Sequence, residues 1–225
     1  MLNIAIDGPC GAGKSTISKM LADKLKIAYL DTGAMYRATA RYFYDNNLDF
    51  KAMTEDEVKN HLINVKILIK YDEITKNSII LLNGEDVSVK IREHFMSKMA
   101  SDISKIPAVR LFLVEMQRDI ASQDNIVLDG RDIGSFVLPN APIKFYLTAS
   151  AEERAKRRHL ELLSKGENVA YDVVLNDVND RDFNDMNRAF APLKQCDDAV
   201  LVDSTEKNIE QVIEEMMIYI EKKGF

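Results

Sequence analysis

Five short apolar runs alternate with longer amphipathic stretches along this chain. Near-continuous apolar runs are typical of strands in a parallel sheet that helices cover on both faces. The pattern therefore predicts an α/β fold with a doubly wound, five-stranded parallel sheet. The predicted strands are residues 2–6, 27–30, 126–128, 143–147 and 199–202.

A polar or glycine-rich segment follows each of these runs. The clearest cases are residues 7–8, 31–33 and 129–132, which contain aspartates and glycines. In doubly wound sheets, ligands bind beyond the carboxyl ends of the strands. We therefore expect the functional residues to gather at that edge of the sheet.

The pattern changes between residues 46 and 97. Residues 65–71 and 79–82 alternate apolar and polar side chains, and Asn83-Gly84 is a strong tight-turn signal. These features predict an inserted subdomain over 46–97 that contains an antiparallel hairpin. The core would then comprise residues 1–45 and 98–225. Within that core we expect a loop at 160–169 and, from the apolar spacing, a final helix over 208–222.

Composition narrows the classes of function. The chain has 225 residues, of which 46% are hydrophobic and 29% charged, as is ordinary for a compact globular protein. Its net charge of -6 disfavours binding to a nucleic-acid polymer, because a basic excess is needed to neutralise the phosphate backbone. No apolar run approaches the ~20 residues that span a bilayer, and two cysteines cannot build a disulfide framework. We therefore expect a cytoplasmic protein.

The most informative motif follows the first predicted strand. Residues 8–15 read Gly-Pro-Cys-Gly-Ala-Gly-Lys-Ser, which matches the pattern G-x-x-x-x-G-K-[ST] of loops that bind nucleoside triphosphates. In such a loop the backbone amides face the phosphates, the lysine bridges the distal groups and the hydroxyl binds Mg²⁺, here through Ser15. A helix beginning at Thr16 would point its positive end at the same anion. The predicted donor site comprises Gly8, Gly11, Ala12, Gly13, Lys14, Ser15 and Thr16.

Two arginines that follow later strands are candidates for holding a second phosphate. Arg37 lies after the second predicted strand, and Arg131 lies after the third. A guanidinium group donates two parallel hydrogen bonds to two phosphate oxygens, which suits this task. Asp129 is placed to organise a magnesium shell. The alternative is that Asp129, Arg131 and Asp132 form only a structural ion-pair network.

Arginines are also concentrated between about residues 154 and 188. Phosphoryl transfer needs alignment, exclusion of water and positive charge, and a closing pair of helices supplies all three. We therefore predict a helical lid, with Arg181 and Asp185 on one helix face by their i to i+4 spacing. The alternative is a solvated helix face. The charged residues concerned are Arg154, Arg157 and Arg158 on the first helix and Arg181, Asp182, Asp185 and Arg188 on the second.

With these motifs assembled, the chain resembles the bacterial cytidylate kinases over essentially its whole length. The segments that carry the resemblance include residues 6–14, 30–37, 129–134, 187–193 and 202–205. The resemblance implies transfer of the γ-phosphate of ATP to CMP or dCMP in pyrimidine nucleotide metabolism, with Mg²⁺ and a closing lid. It also implies small-molecule substrates rather than a nucleic acid or a membrane, and we expect a monomer.

The resemblance further implies roles for individual side chains. Cytosine would be recognised by Thr32, Ser101, Arg110 and Asp132, and the sugar would contact Arg181 and Asp185. The implied acceptor-binding residues together are Thr32, Tyr36, Arg37, Ser101, Arg110, Asp129, Arg131, Asp132, Arg181, Asp185 and Arg188. The implied catalytic residues are Lys14, Arg131, Arg158 and Arg188.

This chain departs from the family pattern at a few positions. Thr32 stands where the family usually has serine, and it keeps the hydroxyl. Asn184 and Met186 lie in a lid helix that often carries more arginines. We expect these differences to affect only the strength of contacts to the donor or the sugar.

Two alternative functions belong to other classes or other substrates. A regulatory switch of the GTPase type would need a guanine-binding Asn-Lys-x-Asp segment, which the sequence lacks. A kinase of another acceptor would differ only in what Thr32, Ser101, Arg110 and Asp132 contact. A comparison of acceptors separates this second alternative from a cytidylate kinase.

Overall fold

A computed structural model describes residues 1–72 and 77–225. The strands in chain order are β1 (Asn3–Asp7), β2 (Ala28–Asp31), β3 (Ile67–Asp72), β4 (Asn77–Leu82), β5 (Glu85–Asp86), β6 (Ile126–Gly130), β7 (Ile143–Thr148) and β8 (Val200–Asp203). The α-helices are α1 (Lys14–Leu25), α2 (Thr32–Asp45), α3 (Glu55–Leu62), α4 (His94–Ile103), α5 (Pro107–Ala121), α6 (Ala151–Ser164), α7 (Tyr171–Asn187) and α8 (Ile209–Lys222). A 3-10 turn covers Lys90–Arg92, and a π-helical turn covers Ile133–Val137.

The chain divides into two compact units. The first unit comprises residues 1–31 and 120–225, and the second comprises residues 32–119. The second unit is longer than the insertion predicted at 46–97, because it also includes α2, α4 and most of α5. Helix α2 packs against α4 and against β4, so these helices group with the inserted strands and not with the parallel sheet.

The first unit contains the predicted five-stranded parallel sheet. Its strand order is β2-β6-β1-β7-β8, and every pair of neighbouring strands is parallel. Apolar side chains of the sheet and of α1 and α8 form the core, which is why short apolar runs sufficed to predict the strands. The core includes Ile4, Ile6, Val127, Phe145, Leu147, Val202, Ile17, Leu21, Val212, Met216 and Ile220.

Each strand of this sheet extends into the polar segment that follows its apolar run. Strands β1, β2 and β8 end in aspartates, and β6 ends in Gly130 after Asp129. In register, Asp31 lies opposite Asp129, and Asp7 lies opposite Gly130. The carboxyl edge of the sheet therefore carries several acidic groups side by side.

Helices α6 and α7 form the predicted helical pair. Helix α6 continues to Ser164, so the connecting loop is shorter than the predicted 160–169, because Leu162 is buried against α7. Helix α7 ends at Asn187, and Arg188 takes an extended backbone conformation. The prediction that Arg188 lies on this helix is therefore wrong, although the residue stays close to it.

The second unit contains a small antiparallel sheet in the order β3-β4-β5. Strands β3 and β4 pair from Ile67 with Leu82 to Asp72 with Asn77. The Asn83-Gly84 turn joins β4 to the short strand β5 and not β3 to β4. Residues 73–76, between β3 and β4, lie outside the described residues.

None of the helices within residues 1–72 and 77–225 has both the length and the apolarity to cross a bilayer.

Candidate active site

The phosphate-binding loop lies between β1 and α1 in the first unit. Its backbone approaches the neighbouring strand so closely that a Cβ atom on Gly8 would lie 1.9 Å from the carbonyl oxygen of Leu147. Gly11 has φ +77°, and a Cβ there would lie 3.2 Å from Cβ of Arg154. Only glycine avoids both the contact and the strain at these positions. Gly8, which the motif fixes, and Gly11, at one of its variable positions, are therefore both required by the packing of this loop.

Lys14 begins helix α1 and is buried inside the loop. Its Nζ donates a hydrogen bond of 2.7 Å to the carbonyl oxygen of Pro9. Burial lowers the pKa of Lys14 to about 7, and the nearby Arg131 guanidinium acts in the same direction. A polyphosphate bound in the loop would provide the negative charge that stabilises this ammonium group.

Ser15 and Thr16 are exposed in the first turn of α1. Within residues 1–72 and 77–225, no cluster of three or more His, Cys, Asp or Glu side chains could hold a metal ion. Mg²⁺ bound with a nucleotide takes much of its coordination from phosphates and water, so it needs few protein ligands. An exposed hydroxyl at the helix start, with buried carboxylates at the sheet edge, fits that requirement.

Asp129 lies at the end of β6 and is buried. It accepts a hydrogen bond of 2.9 Å at Oδ1 from the Tyr29 hydroxyl. Burial raises the pKa of Asp129 to about 7, and the neighbouring Asp31 raises it as well, whereas Lys14 has the opposite effect. The Tyr29 contact was not predicted, because an aromatic residue in a strand carries no sequence signal for a hydrogen bond across the sheet.

Arg131 and Arg188 are both paired with acids in this structure. Arg131 Nε lies 2.7 Å from Oδ2 of Asp185, and Arg188 Nη2 lies 3.3 Å from Oδ1 of Asp132. Arg188 also donates a 2.7 Å hydrogen bond to the carbonyl oxygen of Ala191. The structure thus brings together predicted site residues from the end of β6 and from the end of α7.

Arg154 has a different environment from the one that the sequence suggested. It is buried, and it donates hydrogen bonds of 2.9 Å to the carbonyl oxygens of both Ala149 and Cys10. Its Nη2 also lies 2.6 Å from Oδ2 of Asp182 on α7. Arg154 is therefore neither a solvated surface residue nor a free lid arginine, because it joins the phosphate-binding loop to α7.

The other arginines of the helical pair are held in different ways. Arg181 donates a 3.4 Å hydrogen bond to Sγ of Cys10. Arg157 donates to the hydroxyl and carbonyl oxygens of Ser204 at 3.1 and 2.7 Å. Arg158 pairs with Glu161, one turn further along α6, at 2.8 Å. These contacts place Arg181 at the loop, while the catalytic role of Arg158 stays a prediction.

Cys10 occupies a variable position of the motif, but charged groups surround its thiol. Burial opposes ionisation of the thiol, but Arg181 and Arg131 outweigh this effect and lower the pKa of Cys10. The contact with Arg181 connects residues 171 positions apart in the chain, which the sequence pattern could not reveal.

The second unit contains the remaining predicted acceptor residues. Thr32 is buried at the start of α2, and Ser101 lies on α4. Tyr36 on α2 and Arg110 on α5 are brought together, with Cζ of Arg110 5.6 Å from the centroid of the Tyr36 ring. Arg110 is almost completely buried and donates a 3.4 Å hydrogen bond to the Ser104 carbonyl oxygen. Arg37 lies on α2 beside Tyr36.

The parallel sheet, the glycine-rich loop with its buried lysine, and the surrounding arginines define a P-loop phosphotransferase. The family model described as cytidylate kinase matches residues 4–222. The chain belongs to the cytidylate kinase family, and it is a kinase. This membership gives no support to the alternative of a GTPase-type switch.

Individual relatives agree with this assignment. The chain is 49% identical over 216 residues to a cytidylate kinase of Caldicellulosiruptor saccharolyticus, covering 96% of this chain and 94% of that protein. It is 48% identical to a cytidylate kinase of Carboxydothermus hydrogenoformans, covering 99% of each. A gluconokinase structure from Sinorhizobium meliloti shares the fold with a TM-score of 0.52 at 12% identity, covering 98% of this chain and 92% of that one.

The close approach of Gly8 to β7 yields a first prediction. In Gly8→Ala the added methyl group meets the Leu147 carbonyl oxygen, so the loop must move. We expect nucleotide affinity to fall at least about tenfold and the free energy of unfolding to fall by about 2–3 kcal/mol. Calorimetric titration with ADP and urea denaturation measure the two effects.

Gly166→Ala is the matched control for this change. Gly166 has φ +80°, but no atom lies within 4 Å of the added Cβ. Gly166→Ala should therefore lower the free energy of unfolding only by the backbone strain, about 1–2 kcal/mol, and should leave ADP affinity unchanged. Wild-type ADP affinity in Gly8→Ala would contradict the packing argument.

The Arg131–Asp185 pair yields a prediction about pH. Burial alone would raise the pKa of Asp185, but Arg131 and Arg188 outweigh it and hold that pKa below its ordinary value. The carboxylate therefore adds stability above pH ~4, and this is lost as the pH falls through the lower pKa of the folded state. Asp185→Asn should cost about 1–3 kcal/mol of unfolding free energy at pH 7, and the difference should shrink below pH ~4.

Urea denaturation between pH 7 and pH 3 measures this dependence. Asp180→Asn is the control, because Asp180 is exposed on the same helix. It should change the free energy of unfolding little at any pH. A cost for Asp185→Asn that stays constant over the whole range would rule out the ion pair as its cause.

Proposed function

We propose that this protein transfers the γ-phosphate of ATP to CMP or dCMP, giving CDP or dCDP and ADP, in pyrimidine nucleotide metabolism. The observation that carries this proposal is membership in the cytidylate kinase family across residues 4–222. The arrangement of the first unit supports it, because the phosphate-binding loop and the paired arginines lie at one edge of its sheet. We further propose that the enzyme works in the cytoplasm as a monomer, with ATP and the acceptor nucleotide as small-molecule partners.

The donor would be held by the phosphate-binding loop. Backbone amides between Gly8 and Thr16, together with the ammonium group of Lys14, would neutralise the phosphate chain. Ser15 would ligate Mg²⁺, with phosphate oxygens and water completing the coordination. The ion would supply additional positive charge at the transferring phosphate when bound.

The reaction needs little chemistry from the protein beyond alignment and charge. An oxygen of the acceptor phosphate would form a bond to the γ-phosphorus, while the bond from that phosphorus to the bridging oxygen breaks and ADP leaves. No general base is needed, because the acceptor phosphate is already ionised. Arg37 and Arg131 would hold the acceptor phosphate, and Arg158 and Arg188 would stabilise the charge on the migrating group with Lys14.

The acid partners of the arginines would keep these groups in position before substrate binds. Donors that are already oriented stabilise a transition state without paying reorganisation energy during the reaction. Asp185 holds Arg131 in this way, and Asp132 is paired with Arg188. Asp185 would also contact the sugar together with Arg181.

Cytosine would be distinguished by its hydrogen-bonding edge. It presents an amino donor beside a ring-nitrogen acceptor, which a carboxylate and a guanidinium can match through Asp132 and Arg110. Uracil reverses this pattern and would leave buried groups without partners. Thr32 and Ser101 would supply hydroxyl groups to the same base.

A panel of acceptors tests this proposal. With ATP and Mg²⁺, we expect ADP formation to depend on CMP or dCMP and to be at least about tenfold slower, per unit concentration, with UMP or AMP. A coupled assay of ADP measures the rates. Preference for UMP or AMP would overturn the assignment of the base, and ADP formation without any acceptor would indicate an ATPase.

Lys14→Ala tests the donor site in the same assay. Removing this buried ammonium group should lower turnover about 100-fold or more with every acceptor, because charge on the transferring phosphate is no longer stabilised. Retained turnover would contradict the donor assignment.

Asp132→Ala tests recognition of the acceptor base. We expect the preference for CMP over UMP to fall by about tenfold or more, while ADP affinity stays within about threefold of the wild type. The ratio of kcat/KM values for the two acceptors and a calorimetric titration with ADP measure these effects. An unchanged preference for CMP over UMP would contradict the assignment of Asp132 to the base-binding site.

A further inference from the structure

The Asp7 carboxylate makes an unusual pair of contacts at the end of β1. It is 4% exposed, and both of its oxygens accept hydrogen bonds from backbone amides. Oδ1 accepts from the amide of Ile133 at 2.7 Å, and Oδ2 accepts from the amide of Gly134 at 2.8 Å. A buried carboxylate is costly to maintain, so a pair of short, charge-assisted bonds to successive amides indicates a specific task.

The segment that Asp7 holds begins the π-helical turn Ile133–Val137. The side chain of Lys144 also approaches this segment. A Cβ atom on Gly134 would lie 3.1 Å from Cδ of Lys144 and 3.4 Å from Oδ2 of Asp7. Gly134 therefore lies close to both side chains and has little room for a side chain of its own.

Two proposed acceptor-binding residues come directly before this segment. Arg131 and Asp132 connect β6 to the π-helical turn, and their side chains are paired with Asp185 and Arg188. The amides that Asp7 binds lie one and two residues after Asp132. A shift of these amides would therefore move the backbone that carries Arg131 and Asp132.

We propose that Asp7 is a positioning residue that fixes Arg131 and Asp132 for binding the acceptor nucleotide. The inference rests on the proposed function, because Arg131 and Asp132 are assigned to the acceptor there. Asp7 touches neither substrate in this role and acts only through the backbone at Ile133 and Gly134. It is distinct from the phosphate-binding loop that follows it, although the two are adjacent in the chain.

The donor site should depend less on this carboxylate. The backbone of Asp7 is held by the sheet, opposite Gly130 on one side and Tyr146 on the other. Lys14 is held through the Pro9 carbonyl oxygen, and Arg154 holds the Cys10 carbonyl oxygen. Removing one oxygen of Asp7 leaves all of these contacts in place.

Asp7→Asn in the full-length protein tests the inference. The amide nitrogen of asparagine cannot accept a hydrogen bond, so one of the two backbone amides loses its partner. We expect KM for CMP to rise about tenfold, which corresponds to loss of about one buried hydrogen bond. The dissociation constant for ADP, measured by calorimetry, should change less than about threefold. Hydrogen exchange should become faster at the amide of Ile133 or Gly134.

Asp198→Asn is the matched control. It removes the exposed partner that lies 2.7 Å from Nζ of Lys144, but it leaves both hydrogen bonds of Asp7 intact. We expect KM for CMP to stay within about twofold of the wild type. If KM for CMP rose as much in Asp198→Asn as in Asp7→Asn, any change in this region would raise it, and the inference would be overturned.

Gly134→Ala provides a second variant if Asp7→Asn does not fold. Its added methyl group crowds Lys144 and Asp7 without altering a charge, and we expect the same rise in KM for CMP. An unchanged KM for CMP in either folded variant, or an equal loss of ADP affinity, would overturn the inference. A wild-type enzyme that does not phosphorylate CMP would instead contradict the proposed function, and the hydrogen exchange of Ile133 and Gly134 would still test the structural role of Asp7.

Discussion

The first unit depends on how it stabilises, by hydrogen bonding, the charged groups buried at the carboxyl edge of its sheet. Asp7, Lys14, Asp129 and Arg154 are each less than one tenth exposed. An isolated charge in such surroundings is strongly destabilising, so each group needs a partner. Asp7 has two amides, Lys14 and Arg154 have carbonyl oxygens of the phosphate-binding loop, and Asp129 has a tyrosine hydroxyl. Because Lys14 and Arg154 bind carbonyl oxygens of the loop, the contacts that stabilise these two charges also fix its shape.

Elements of the fold could be predicted where their signal is local. The central parallel strands appear as apolar runs because both of their faces are buried, and the phosphate-binding loop appears because its glycines and lysine are close in sequence. The limits of the second unit could not be predicted, because α2 joins it through packing against α4 and β4. The apolar spacing of α2 does not reveal this packing, because the helix would be amphipathic whether it packed on the parallel sheet or within the second unit.

Long-range contacts explain what the sequence did not reveal about the site. The resemblance to the family implied that Arg131, Asp132, Asp185 and Arg188 belong to one acceptor site. It did not indicate the role of Arg154, whose contact with the Cys10 carbonyl oxygen joins positions 144 residues apart. From sequence alone, an arginine in a charged helical run is expected to be solvated. Only the fold shows whether a carbonyl oxygen lies within hydrogen-bonding distance of it.

Ion pairs in the site affect both stability and binding. Asp185 offsets the cost of partly burying Arg131, but the same carboxylate competes with any phosphate for that guanidinium group. Arginine has five donors in a planar arrangement, so a phosphate can bind Arg131 while Nε stays with Asp185. A lysine has no such fixed fork and would be drawn towards one partner or the other. The chemistry of the site therefore favours arginine, because one side chain must serve a structural partner and a ligand at the same time.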